Sequence, residues 1–130
     1  AAPADAVLLD APCSATGIFR RHPDVLYRVR AKDIAALAET QRAMLARAAD
    51  WVRPGGLLVY ATCSLEPAEG EAQVAAFLAT RGDYRPAPVT AAELPAGIAP
   101  ADGFVRTRPG MLADAGGLDG FFVARMIRQG

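Results

Sequence analysis

The sequence predicts an α/β fold, the second half of an open sheet that starts with parallel strands and ends in an antiparallel hairpin. Three observations carry that expectation. Val7-Leu8-Leu9-Asp10 and Leu57-Leu58-Val59-Tyr60-Ala61 are short apolar runs without polar alternation, the pattern of parallel strands covered by helices on both faces. Between them Ile34, Leu37, Ala38, Met44, Leu45, Ala48, Trp51 and Val52 recur at helical spacing, which makes one apolar stripe. Beyond Gly82 the candidate strands follow one another with no helix between them, which suits antiparallel pairing.

The first strand stops at Asp10-Ala11-Pro12, because proline has no N–H to give to a ladder. The first helix should begin near Lys32-Asp33 and run for about five turns. Pro54-Gly55-Gly56 should end it and turn the chain, and the second strand follows from Leu57 to Ala61. Pro67 suits the first turn of a second helix, with Glu69 and Glu71 favourable near its positive end. Val74, Phe77 and Leu78 mark its buried face, and Gly82 closes it. Tyr84 to Val89 carries Pro86 and Pro88, so it is an edge strand or an extended loop. Thr90 to Gly103 reads as a surface loop and Phe104 to Thr107 as a short strand. Arg108-Pro109-Gly110 and Gly116 to Gly120 read as turns, and Phe121 to Ile127 as the last strand.

At 130 residues the chain is one domain or part of one. Hydrophobic residues make up 52 % and charged residues 22 %, with zero net charge. That composition supports a core, argues against disorder and gives no bulk pull toward nucleic acid or membrane. The basic residues are uneven, however: Arg20, Arg21, Arg28, Arg30 and Lys32 cluster with Asp24 as the one acid among them. Two cysteines do not make a disulfide framework. No apolar run is long enough to span a bilayer, and no charged leader with an apolar core precedes the first strand. The expectation is a cytoplasmic protein with reduced thiols.

Cys13 and Cys63 each follow the carboxyl end of an apolar run, and each precedes a serine. Ligands of open α/β sheets sit beyond the carboxyl ends of the strands, so Asp10, Cys13 and Cys63 fall where chemistry is done. A single cysteine would read as a small buried hydrophobe; two in matching positions are harder to dismiss. Metal binding is not expected, since no further Cys/His set supplies four ligands. A thiol hydrolase would need His22, the one histidine, as its base. The plainer reading of Asp10, an acid bonding the amides of a turn, comes second.

The motifs Asp10-Ala11-Pro12-Cys13-Ser14-Ala15-Thr16-Gly17, Arg20-Arg21-His22-Pro23-Asp24, Tyr60-Ala61-Thr62-Cys63-Ser64 and Asp119-Gly120-Phe121-Phe122 occur in this order. In that order and spacing they resemble the RNA cytosine-5 methyltransferases, and most of all their bacterial ribosomal RNA branch, the Sun/Fmu type. The resemblance runs over nearly the whole chain. It implies a Rossmann-like class I S-adenosylmethionine-dependent methyltransferase sheet, with residues 1–130 as the carboxyl-terminal half of the catalytic domain. The substrate it implies is a cytosine of 16S ribosomal RNA. Carbon 5 of cytosine is a poor nucleophile until a thiolate adds at carbon 6, which splits one hard step into easier ones. The residues alone leave open which thiol attacks. The resemblance implies that Cys63 attacks and that Cys13 assists release of the product. It also implies that Asp10 contacts cofactor and substrate, and that Pro12, Arg20, Arg21 and His22 face the RNA. The plainer reading of Arg20, Arg21 and His22 is a solvated basic loop.

The sequence also departs from the family. No G-x-G-x-x-G loop occurs, and Gly55-Gly56 precedes a strand, the wrong side for holding the cofactor. The amino-terminal RNA-binding region is absent, and Ala15 stands where many relatives have glycine. The expectation is therefore a chain inactive by itself, with an exposed edge at Val7 to Asp10 through which two copies could pair. Two alternatives remain: a non-enzymatic RNA- or partner-binding piece, and the Cys-His hydrolase.

Overall fold

The computed structural model describes residues 3–18, 31–96, 98–108 and 119–129. Arg20, Arg21 and His22, with Pro109-Gly110 and Gly116 to Leu118, lie outside the described residues. In chain order the regular elements are β1 (Ala4–Asp10), α1 (Ala31–Trp51), β2 (Val52–Thr62), α2 (Glu71–Thr80), β3 (Tyr84–Pro86), β4 (Val105–Arg106) and β5 (Phe122–Arg128). Short 3-10 turns stand at Thr16–Ile18, Pro67–Glu69 and Ala91–Glu93.

The sheet order is β1-β2-β5-β3, with β4 also pairing β5. β1 and β2 are parallel, with Val7 opposite Leu58 and Leu9 opposite Tyr60. β5 runs antiparallel to β2, β3 and β4. The antiparallel ending therefore forms as expected, with β5 inserted between β2 and the edge strand β3. Leu9, Leu58, Tyr60, Phe122, Ala124 and Met126 form the covered face, packed with Leu45, Ala48, Ala49, Val74 and Phe77 of the helices.

Burial differs from expectation in one respect. The apolar runs imply cover on both faces, yet Leu8 is 68 % exposed, and Leu57 and Val59 are half-buried. The reason lies in the order of strands. The chain moves from β1 to β2 and on toward β3 in one direction across the sheet, so successive crossovers of one hand lay α1 and α2 on the same face.

Two local boundaries and the burial of two residues of α1 also differ. α1 runs directly into β2 at Val52, and Pro54-Gly55-Gly56 sits inside β2 as an irregularity between the pairs Ala4–Val52 and Ala6–Leu57. Gly55 takes φ 80° there, a conformation that glycine adopts without a side-chain clash. Trp51 is 58 % exposed, because Ala48, Ala49 and Val52 take the sheet-facing positions around it. Gln41, which no apolar stripe would include, is fully buried in that face. Finally, Pro67–Glu69 is a separate turn before α2, and Glu69 is 0 % exposed rather than a solvated first-turn acid.

Candidate active site

β1 and β2 end side by side, and the Ala11 N–H continues their ladder by donating to the Ala61 carbonyl at 2.9 Å. The chain after β1 then curls over the end of β2. Gly17 N–H donates to the Cys63 carbonyl at 2.8 Å, and Gly120 N–H donates to the Gly17 carbonyl at 2.6 Å. A Cβ on Gly17 would lie 1.9 Å from the Gly120 carbonyl oxygen, so only glycine allows this approach. Asp119-Gly120-Phe121-Phe122 is structural: Thr107 Oγ1 donates to the Asp119 carbonyl and accepts from the Phe121 N–H, both at 2.8 Å.

This arrangement brings Cys13 Sγ to 3.3 Å from Cys63 Sγ. Both cysteines are free and half-buried. Hydrogen-bond contact with Cys13 holds the Cys63 thiol down to about 7, against opposition from burial and from the charges of Asp10 and Glu69. Cys13 moves the other way, raised by the bond to Cys63 and then by burial. The two thiols therefore share a proton across the contact, and the pair favours a thiolate, with Cys63 the lowered partner. A thiolate is the nucleophilic form of cysteine.

Beneath the sulfur atoms lies a buried polar cluster that the sequence did not reveal. Glu69 accepts from Ser14, Ser64 and Gln41. Thr16 Oγ1 accepts from the Leu65 N–H at 2.9 Å. Arg106 of β4 donates to the Ser64 carbonyl and pairs with Glu71, which lowers the Glu71 carboxyl. The serine after each cysteine was the available signal, though nothing in the sequence joined it to Glu69.

Asp10 sits exposed at the end of β1, where it pairs with Ala61 of β2. Pro12 is also exposed, and its carbonyl accepts from Gln41 Nε2 at 2.8 Å. An exposed carboxylate at a strand end fits one side of a site for a cofactor or a base. Among the described residues no group of three or more His, Cys, Asp or Glu gathers that could hold a metal. No helix among them is long and apolar enough to cross a membrane.

Comparison with known proteins gives a consistent picture. The chain is 46 % identical over 125 residues to the ribosomal RNA small subunit methyltransferase B of Klebsiella pneumoniae, covering 96 % of this chain and 26 % of that protein. It is 46 % identical over 128 residues to the protein of the same name from Xylella fastidiosa, covering 98 % and 28 %. The chain thus spans about a quarter of the length of these curated relatives. Among solved structures, NSun6 from Pyrococcus horikoshii with SFG is similar with a TM-score of 0.77 and 32 % identity, over 98 % of this chain and 30 % of that one. A methyltransferase homolog protein from Pyrococcus horikoshii follows at 0.71 and 27 %, over 98 % and 40 %. The family described as 16S rRNA methyltransferase RsmB/F matches residues 2–127. With that match over nearly the whole length and 46 % identity to these relatives, the chain belongs to the 16S rRNA methyltransferase RsmB/F family.

Proposed function

We propose that this chain carries the nucleophile half of a site that methylates carbon 5 of a cytosine in 16S ribosomal RNA. The 130 residues by themselves are inactive in this reading. The observation that carries it is the 3.3 Å contact between Cys13 and Cys63 at the ends of two parallel strands.

S-adenosylmethionine is the cofactor that the family and the relative solved with its analogue sinefungin support; when bound it supplies the methyl group. The chain's own residues do the rest. Cys63 Sγ, as thiolate, bonds to carbon 6 of the cytosine and drives an electron pair onto carbon 5. Asp10 accepts a hydrogen bond from the base or the cofactor and fixes its orientation, with Pro12 against the ring. After carbon 5 has taken the methyl group, a base from solvent takes its proton, and the C–H electron pair re-forms the carbon 5–carbon 6 double bond. The Cys63–carbon 6 bond then breaks and returns its electrons to sulfur. Cys13 stays protonated beside Cys63 and assists that release. Arg20, Arg21 and His22 supply RNA contacts, and the ribosomal RNA substrate puts the reaction in the cytoplasm.

The test uses a full-length family enzyme carrying these residues. Cys63→Ser should abolish methyl transfer. Cys13→Ala should allow addition but slow release, leaving RNA attached to protein as a retarded band on a denaturing gel. Covalent RNA retained by Cys63→Ala instead would reverse the two roles. The exposed Leu8 face favours a second reading, a partner-binding piece without activity; a full-length enzyme that methylates no 16S ribosomal RNA with Cys63 intact would favour it. The hydrolase reading turns on His22, which lies outside the described residues; His22→Ala tests it.

A further inference from the structure

Glu69 is a fully buried acid to which the chemistry above gives no task. Its two oxygens draw donors from three separate segments. Oε2 accepts from the Ser14 peptide N–H at 2.9 Å and from Gln41 Nε2 at 2.8 Å. Oε1 accepts from Ser14 Oγ at 2.5 Å and from Ser64 Oγ at 2.7 Å. The Glu69 carbonyl is held in turn by the Tyr60 hydroxyl at 2.7 Å. A buried carboxylate is costly unless its lone pairs are filled, and here four neutral donors fill them. Two of the three segments are those that bear the thiols: Ser14 follows Cys13, and Ser64 follows Cys63.

We propose that Glu69 is the positioning residue of the thiol pair: its carboxylate clamps the serine after each cysteine and so holds the two sulfur atoms in contact. The importance of that contact rests on the methyl-transfer reading, but the clamp acts on the thiols themselves and is measurable without RNA or cofactor.

The direction of the effect on Cys63 separates a clamp from a merely nearby charge. The titratable groups acting on Cys63 are Cys13, Asp10 and Glu69, while Arg106 reaches the neighbouring Ser64 carbonyl. As a charge, Glu69 pushes the Cys63 thiol up; the hydrogen bond from Cys13 pulls it down and is the larger influence. Removing the charge with the geometry intact would lower Cys63 further. Removing the clamp would release Cys63 from Cys13 and raise it toward the ordinary thiol value of about 8.5.

Glu69→Gln keeps the size but turns an amide N–H₂ toward groups that are themselves donors, so half of the clamp is lost. The readout is the pH dependence of iodoacetamide alkylation at Cys63 in the 130-residue chain, located by mass spectrometry, with folding followed by circular dichroism. Alkylation of the unaltered chain should have its midpoint near 7. In Glu69→Gln the midpoint should rise by about one pH unit, which slows alkylation at pH 7 about fivefold. A midpoint that stays or falls overturns the clamp. Should Glu69→Gln not fold, Ser64→Ala removes the Cys63 side alone; the same rise is expected there, and an unchanged midpoint is equally fatal. A raised midpoint combined with no covalent RNA in the full-length Cys13 variant would sink the methylation reading and leave the clamp standing.

Discussion

Ala15 has φ 61°, in the left-handed region that costs a residue with a Cβ about 1–2 kcal/mol. Its neighbours hold it there. The Ser14 N–H is bonded to Glu69, Thr16 Oγ1 takes the Leu65 N–H, and the Gly17 N–H takes the Cys63 carbonyl. An alanine that looks unexceptional in sequence is therefore a strained residue. Glycine relieves the strain but costs roughly 0.5–1 kcal/mol in chain entropy. Ala15→Gly should stabilise the chain by about 0.5 kcal/mol net, a rise in Tm of about 2–3 °C, read by thermal denaturation. A lower Tm would mean that the loop bears no strain at this position.

Among the elements, one charged cluster joins the ends of several. Arg81, just past α2, bonds Asp83 at 2.9 Å and Asp50 of α1 at 3.0 Å, and Arg128 of β5 reaches Asp83 at 3.1 Å. The hydrogen bond from Arg81 leads in holding the Asp83 carboxyl down to about 2. A depressed carboxyl stabilises the fold fully above its unfolded value of about 3.9, and the contribution is lost as pH falls through the folded value. The cluster is part-exposed and screened, so it contributes about 1 kcal/mol or less. Asp83→Asn should thus lower the urea midpoint at pH 6 and match the unaltered chain near pH 2; an equal deficit at both would assign the loss to packing. The helices and strands were legible because apolar spacing alone decides them, and the thiols because each ends a strand. Glu69 was not. An acid after Pro67 looks the same in sequence whether water or Ser14, Gln41 and Ser64 surrounds it. Trp51 misled for a related reason, since helical spacing cannot say where a stripe meets its sheet. The place of β5 was hidden as well, because its neighbours β2 and β3 are set by long-range pairing.

For the molecule as a whole, β1 has one partner strand among the described residues and stands at the sheet edge. Leu8 is 68 % exposed and Trp51 58 %. Trp51 also lines a hollow of about 260 Å³ with Leu9, Met44, Arg47 and Ala48. Open edges beside apolar surface invite strand pairing. The 130-residue chain should pair through β1 as a dimer that leaves the cofactor side incomplete, binding S-adenosylmethionine weakly or not at all. Light scattering showing a compact monomer at high concentration, or calorimetry showing stoichiometric micromolar binding, would contradict this. The placement of β5 has a different consequence, one of time. It supplies the antiparallel neighbour of β2, β3 and β4, yet it follows all three along the chain. On a ribosome adding roughly 5–20 residues per second, these three strands emerge before the strand that binds them together. Until Phe122–Arg128 is made, the nascent sheet has a gap at its centre, and the two cysteines wait on a half-built support.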